Sequence, residues 1–172
     1  MLSCLKMLTE DSSYELSHFK GGLPVQVGAW TFLWDKSIEQ HMLKYRSEML
    51  PNETGGILLG FIDYKIKTIC VVLATNAPGD SISSPHEFMR GMADLKDNLD
   101  ECYNKTANVV SYIGEWHSHP NSYSATPSSS DKTQLKYLSD VMGREGLPGI
   151  MVIISEQNIS VSIDDITEMK SY

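Results

Sequence analysis

Residues 108–120 read NVVSYIGEWHSHP. The run from Asn108 to Ile113 is dense in β-branched and aromatic residues, the composition of a strand, and it leads into Gly-Glu-Trp-His-Ser-His-Pro. Upstream, Gly56 to Ile62 and Thr68 to Ala74 are two further strand-like runs. Only a short stretch around Asp63-Tyr64-Lys65 separates them, which predicts an antiparallel hairpin. Before these, Leu23 to Trp34 (LPVQVGAWTFLW) is rich in strand formers. Asp35 or Ser37 then caps a predicted helix to Met49, with Ile38, Met42 and Tyr45 at helical spacing and Pro51 as its stop. Asn76 to Pro85 is a loop of Pro, Gly, Asp and Ser. His86 to Tyr103 is expected to be helical, with Phe88, Met92, Leu95 and Leu99 on one face. Downstream of the quoted stretch, a Ser-rich loop precedes a predicted helix from Ser129 to Met142, and Gly149 to Ile154 and Asn158 to Ile163 read as a second hairpin. The order of elements predicts an α/β fold, a mixed β-sheet flanked by helices and not doubly wound.

The chain has 172 residues, which points to one domain, and 41% hydrophobic and 21% charged residues, the balance of a globular protein. Residues 1–22 are polar and end in Gly21-Gly22, so an N-terminal segment 1–22 followed by a domain 23–172 is expected. The formal net charge of −8 comes without a basic patch, which argues against a nucleic-acid partner. Cys4, Cys70 and Cys102 form no C-x-x-C pair and read as reduced thiols, with Cys70 buried in a strand. No signal-peptide core and no run near 18 apolar residues is present, so a cytoplasmic protein without a membrane partner is expected.

The chemistry concentrates after residue 116. In an extended strand, residues i and i+2 point to the same side, so His117 and His119 can present two imidazoles to one point. Zn²⁺, a borderline-soft ion, favours such donors. Asp131, twelve residues beyond His119 at the start of the next helix, can return as an oxygen ligand. Three protein ligands leave a fourth tetrahedral position open, as in catalytic zinc sites. An H-x-H pair alone is weak evidence, and Ser128-x-x-Asp131 also fits a helix capping box; the two roles of Asp131 are compatible. Other signatures fail. His86-Glu87 lacks the second histidine, at position 90, of an H-E-x-x-H helix. No P-C-x-x-C follows an H-x-E. The serines 128–130 have no G-x-S-x-G context. His18 and His41 have no clustered partners.

Glu53-Thr-Gly-Gly-Ile-Leu-Leu-Gly60, then Gly114-Glu-Trp-His-Ser-His-Pro120, then Pro127-Ser-Ser-Ser-Asp131, resembles the JAMM or MPN-plus metalloprotease family, also known as JAB. The pattern is an upstream Glu, then H-x-H-P, then S-x-x-D, and the match spans about residues 50 to 135. The resemblance implies an MPN/JAB domain with a cytidine-deaminase-like fold and one Zn²⁺ per chain held by His117, His119 and Asp131. It implies Glu53 as the proton-transferring base and Ser128 as a stabiliser of the tetrahedral oxyanion, with Ser129 and Ser130 as neighbouring alternatives. The implied substrate is an isopeptide or peptide bond after the C-terminal tail of a ubiquitin-like protein. Gly114 to Pro120 is similar to stand-alone prokaryotic JAB-domain proteins, among them deconjugating peptidases of bacterial antiphage (CBASS) operons. There the protein conjugate, such as a conjugated nucleotidyltransferase, is made by an E1/E2-like partner. Two rivals stand beside this reading: a peptidase acting on a sulfur-carrier or small-molecule adduct, and a non-catalytic MPN scaffold. Gly55, Gly56 and Gly60 read as sites of close backbone packing. A substrate tail is expected to pair with an exposed strand edge near Glu53 to Gly60, and core packing is the expected fate of Trp116.

Overall fold

The computed structural model describes residues 3–5, 16–18 and 24–165, so the expected break at Gly21-Gly22 lies outside the described residues. Strands β1 (Ser3–Leu5) and β2 (Leu16–His18) form a small antiparallel ladder of their own. The run 23–34 divides into two strands, β3 (Val25–Val27) and β4 (Trp30–Trp34), paired antiparallel. Gly28 between them has φ +58°, a left-handed conformation that glycine adopts without penalty. Helix α1 (Lys36–Met49) begins at Asp35, whose carboxylate accepts the Ser37 N–H at 2.8 Å.

Strands β5 (Gly55–Asp63) and β6 (Thr68–Ala74) form the expected antiparallel pair. The next stretch departs from expectation. Instead of a helix from residue 86, the chain makes a second hairpin, β7 (Ile82–Ser84) and β8 (Glu87–Met89), and α2 starts only at Leu95 and runs to Lys105. Leu95 and Leu99 do pack on the sheet, but Met92 is 66% exposed. The helical spacing of Phe88 and Met92 with those leucines was a coincidence across an irregular joint, marked by Gly91 and by Asp94 at φ +56°.

Strand β9 (Ser111–Ser118) continues past the expected end at Ile113 and carries the H-x-H stretch. It leads to α3 (Ser129–Met142), a single turn of 3₁₀ helix (Gly143–Glu145), and the antiparallel strands β10 (Gly149–Ile154) and β11 (Ile159–Asp164). Seven strands form one mixed sheet in the order β11-β10-β9-β5-β6-β4-β3. The β10–β9 and β4–β6 pairs are parallel and the others antiparallel. β5 is therefore central, paired with β9 on one side and β6 on the other. The expectation of an exposed edge near Glu53 to Gly60 is corrected: that edge is used within the sheet.

Alternation along the strands sends side chains to two cores. Ile38 and Met42 of α1 pack with Leu58, Val71, Trp116, Val152 and Ile154 on one face. On the other, α2 covers Ile57 and Leu59, and α3 covers Met151 and Ile153 through Leu135 and Leu138. A bulge shifts the β5–β9 register between Leu58 and Leu59, where Leu58 faces Gly114 and Leu59 faces Tyr112. The extra residue, Ile113, resets the alternation. Trp116 is thereby buried in the α1 core, 1% exposed, while Glu115 and His117 point toward α3.

Candidate metal centre

His117 lies near the end of β9 and His119 just beyond it, where the His119 N–H still donates to the Ile154 carbonyl at 2.8 Å. Asp131 lies in the first turn of α3. Ser128 is the N-cap: its hydroxyl accepts the Asp131 N–H at 3.2 Å, and the Asp131 carboxylate accepts the Ser128 N–H at 2.6 Å. The capping box fixes the carboxylate without exhausting it. Its Oδ1 lies 3.1 Å from His117 Nε2 and its Oδ2 lies 3.5 Å from His119 Nε2. Ligand atoms of His117, His119 and Asp131 all fall within 4.8 Å of one another, and all three residues are buried.

Two details test whether this cluster fits a metal. The His117 Nε2 atom is buried and makes no hydrogen bond, although it is close to Asp131 Oδ1. The distance allows a bond and the angle does not, as when two donors aim at a common point rather than at each other. His119 Nδ1 is 2.6 Å from the Ser124 carbonyl. A carbonyl only accepts, so Nδ1 carries the proton and Nε2 turns its lone pair to the cluster, the outer-shell arrangement that orients metal-ligating histidines. The residues fit a three-ligand ion.

Glu53, Ser128 and Ser130 line the same cleft of about 430 Å³, with His86, Phe88, Tyr123 and Gln134. Glu53 sits two residues before β5 and is half-buried. Its N–H donates to the Ser84 carbonyl at 2.9 Å; the next residue is clamped to Ser118, whose Oγ accepts the Thr54 N–H at 3.1 Å and whose N–H donates to the Thr54 carbonyl at 2.7 Å. Burial pushes the Glu53 carboxyl up; the His117 and His119 imidazoles oppose the rise and Asp131 adds to it. For Asp131, burial also acts upward, but the adjacent His117 and His119 imidazoles overcome it and hold the carboxyl far below the usual range. The Asp131 contact, against the cost of burial and with help from the Ser124 carbonyl, raises the His119 imidazole. The site thus holds one firmly ionised carboxylate and one whose proton affinity is increased.

Three contributors escaped the sequence reading. Arg46 is buried in α1; its Nε donates to the His119 carbonyl and its Nη2 to Asn121 Oδ1, both at 2.8 Å. Only its position one turn after Met42 on the buried face hinted at this. His86 and Phe88 reach the cleft because residues 82–89 form a hairpin; the two-residue Pro85-His86 turn between short β-type runs was the available signal. Gly55 is explained by the same hairpin, since a Cβ there would lie 2.2 Å from the Trp116 carbonyl oxygen and 2.7 Å from Phe88 Cε1.

The family model described as prokaryotic homologs of the JAB domain matches residues 35–170, nearly the whole described domain and every residue of the cluster. The chain belongs to the Prok-JAB family. This Prok-JAB chain is 35% identical over 103 residues to a CD-NTase/cGAS isopeptidase of Enterobacter hormaechei subsp. hoffmannii, covering 60% of this chain and 55% of that protein. It is 29% identical over 102 residues to the probable metalloprotease y4qB of Sinorhizobium fredii, covering 59% and 61%. The matched part thus spans little more than half the length of these relatives. The solution structure of protein DSY2949 from Desulfitobacterium hafniense is similar at TM-score 0.49 and 23% identity, covering 77% of this chain and 88% of that one.

Proposed function

We propose that this chain is a zinc-dependent isopeptidase that releases a protein conjugated through its C-terminal tail. The observation that carries the reading is the convergence of His117, His119 and Asp131 within 4.8 Å, in a cleft that also holds Glu53. A Zn²⁺ bound there would polarise the scissile carbonyl and lower the pKa of the attacking water toward about 7. Glu53 takes that water's proton and returns it to the leaving amine. Its raised proton affinity favours taking that proton. Ser128 spends an acceptor lone pair on the Asp131 N–H, which leaves its O–H free to donate to the oxyanion.

The names of the relatives, an isopeptidase and a probable metalloprotease, support hydrolysis as the reaction. The first name suggests a conjugated nucleotidyltransferase as the target. We extend this to a CBASS-type antiphage role in the cytoplasm, opposite an E1/E2-like conjugating partner. The complete ligand cluster favours an enzyme over a non-catalytic scaffold, and conjugates tested against sulfur-carrier adducts separate the remaining rival.

Elemental analysis of protein purified without added metal is the first test. About one zinc per chain is expected, with a reduced content in each of His117→Ala, His119→Ala and Asp131→Ala. Full zinc content in all three variants would move the site elsewhere.

A further inference from the structure

Glu115 is a carboxylate buried to 7% exposure beside the cleft, and nothing in the proposed chemistry uses it. Its bonds cross three elements. Arg90, just after β8, donates to Glu115 Oε1 through Nε at 3.0 Å and through Nη2 at 2.7 Å. Gln134 of α3 donates through Nε2 to Oε2 at 3.0 Å, and the Tyr112 hydroxyl donates to Oε1 at 3.3 Å. Both oxygens are satisfied, and the Arg90 and Glu115 side chains are 17% and 9% exposed.

The placement follows from the periods of strand and helix. Glu115 and His117 are i and i+2 on β9 and share a face; Asp131 and Gln134 are i and i+3 on α3 and share a face. The same strand–helix seam therefore carries the His117–Asp131 contact at one level and the Glu115–Gln134 bond at the next. Arg90 attaches the β7–β8 hairpin to that seam. The other end of the hairpin touches the proposed base, because the Ser84 carbonyl accepts the Glu53 N–H. The base of the hairpin is closed separately, by Asp80 accepting the Met92 and Ala93 N–H groups and by Ser81 accepting the Gly91 N–H.

From this connection we infer that Glu115 and Arg90 are positioning residues of the site. Their ion pair fixes the β7–β8 hairpin against β9 and α3 so that Ser84 holds Glu53 at the working distance from the ligand cluster. The inference rests on the proposed hydrolytic function for its kinetic consequence, but its structural half does not. A pair needed only for stability would be replaceable by neutral groups of similar size, since buried ion pairs often add little net stability. A positioning pair is not replaceable in this way, because a neutral pair lacks the fork that sets the hairpin's height.

The test uses the full-length zinc-loaded chain. Arg90→Met or Glu115→Gln alone strands part of a buried pair and risks misfolding, so the deciding variant is the double Arg90→Met/Glu115→Gln. The exposed α2 pair is the control, as Lys96→Met/Asp100→Asn, whose parent side chains are 85% and 52% exposed. Two readouts are taken: hydrogen exchange at the Glu53 amide, and kcat and KM on a coumarin amide of a tail peptide ending in small residues. The double variant should retain zinc and thermal stability, exchange the Glu53 amide at least about tenfold faster, and lose at least about tenfold in kcat with KM changed much less. The α2 control should change neither readout. A double variant with wild-type exchange at Glu53 and wild-type kcat overturns the inference; so does a loss confined to KM, which would make the hairpin a binding wall instead. If the wild-type chain cleaves no tail amide, the hydrolytic reading fails, while the Glu53 exchange rate still decides whether the ion pair positions the hairpin.

Discussion

Glu53 and Asp131 are both carboxylates lining one cleft, yet their surroundings drive them in opposite directions. Asp131 lies against two imidazoles, accepts the Ser128 N–H and stays ionised; among the described residues Glu53 has no such donors to its side chain, and burial raises its affinity for a proton. That divergence suits Asp131 to the proposed ligand role and Glu53 to the proposed base role. Glu53→Gln keeps shape and hydrogen-bonding capacity but cannot accept and return a proton. Turnover should fall by about 10²–10⁴ with zinc content unchanged by elemental analysis and the conjugate still captured in a pull-down. Loss of zinc in this variant would instead make Glu53 a ligand or structural support. His119 gives a pH prediction. Metal binding needs the imidazole neutral at Nε2, and the contact with Asp131 raises its pKa in the metal-free protein. Zinc affinity should therefore decline as pH falls, with the decline starting above the pH where an ordinary histidine, pKa about 6.5, begins to protonate. Competition with a chelator of known affinity between about pH 6 and 8 measures this; a flat profile would contradict it.

Among the elements, α1 contributes to the site from behind the sheet. Arg46 reaches through to the His119 carbonyl and Asn121, anchoring the turn that follows the H-x-H stretch. Arg46→Met keeps much of the apolar stem but removes both bonds. A loss of about 1.5–3 kcal/mol is expected for hydrogen bonds to a charged group, together with weaker zinc retention, measured by thermal unfolding with and without chelator. Unchanged zinc retention would confine Arg46 to stability alone. The elements also show what could be read from sequence. Helices α1 and α3 and the β5–β6 and β10–β11 pairs follow local signals: a cap at Asp35 or Ser128, apolar spacing, and short polar turns. The convergence of His117, His119 and Asp131 was legible because strand alternation and a helix cap fix their directions locally. The β7–β8 hairpin was not, because its strands are three residues each and it bonds to residues far away in sequence, Glu53 and Glu115. The central place of β5 was hidden for a related reason: no local pattern in Gly55 to Gly60 says which strands lie on its two sides.

At the scale of the whole molecule, the mixed sheet brings the C-terminal end of β9, the N-terminal end of β5 and the start of α3 to one place, which is why residues 53, 117, 119 and 131 meet despite their separation in sequence. Among the described residues no helix is long and apolar enough to cross a membrane. The cleft is lined by hairpin residues from Ser84 to Phe88 and by Tyr123, Ser128 and Gln134. The measurement that bears most directly on the account is intact-mass spectrometry of a defined conjugate, a nucleotidyltransferase joined through its C-terminus to a target lysine, after incubation with the zinc-loaded chain. The account predicts two products separated at the single bond between tail and lysine amine, with none formed by Glu53→Gln or after zinc removal. An intact conjugate with the zinc-loaded wild-type chain, or cuts scattered through the polypeptide, would contradict it.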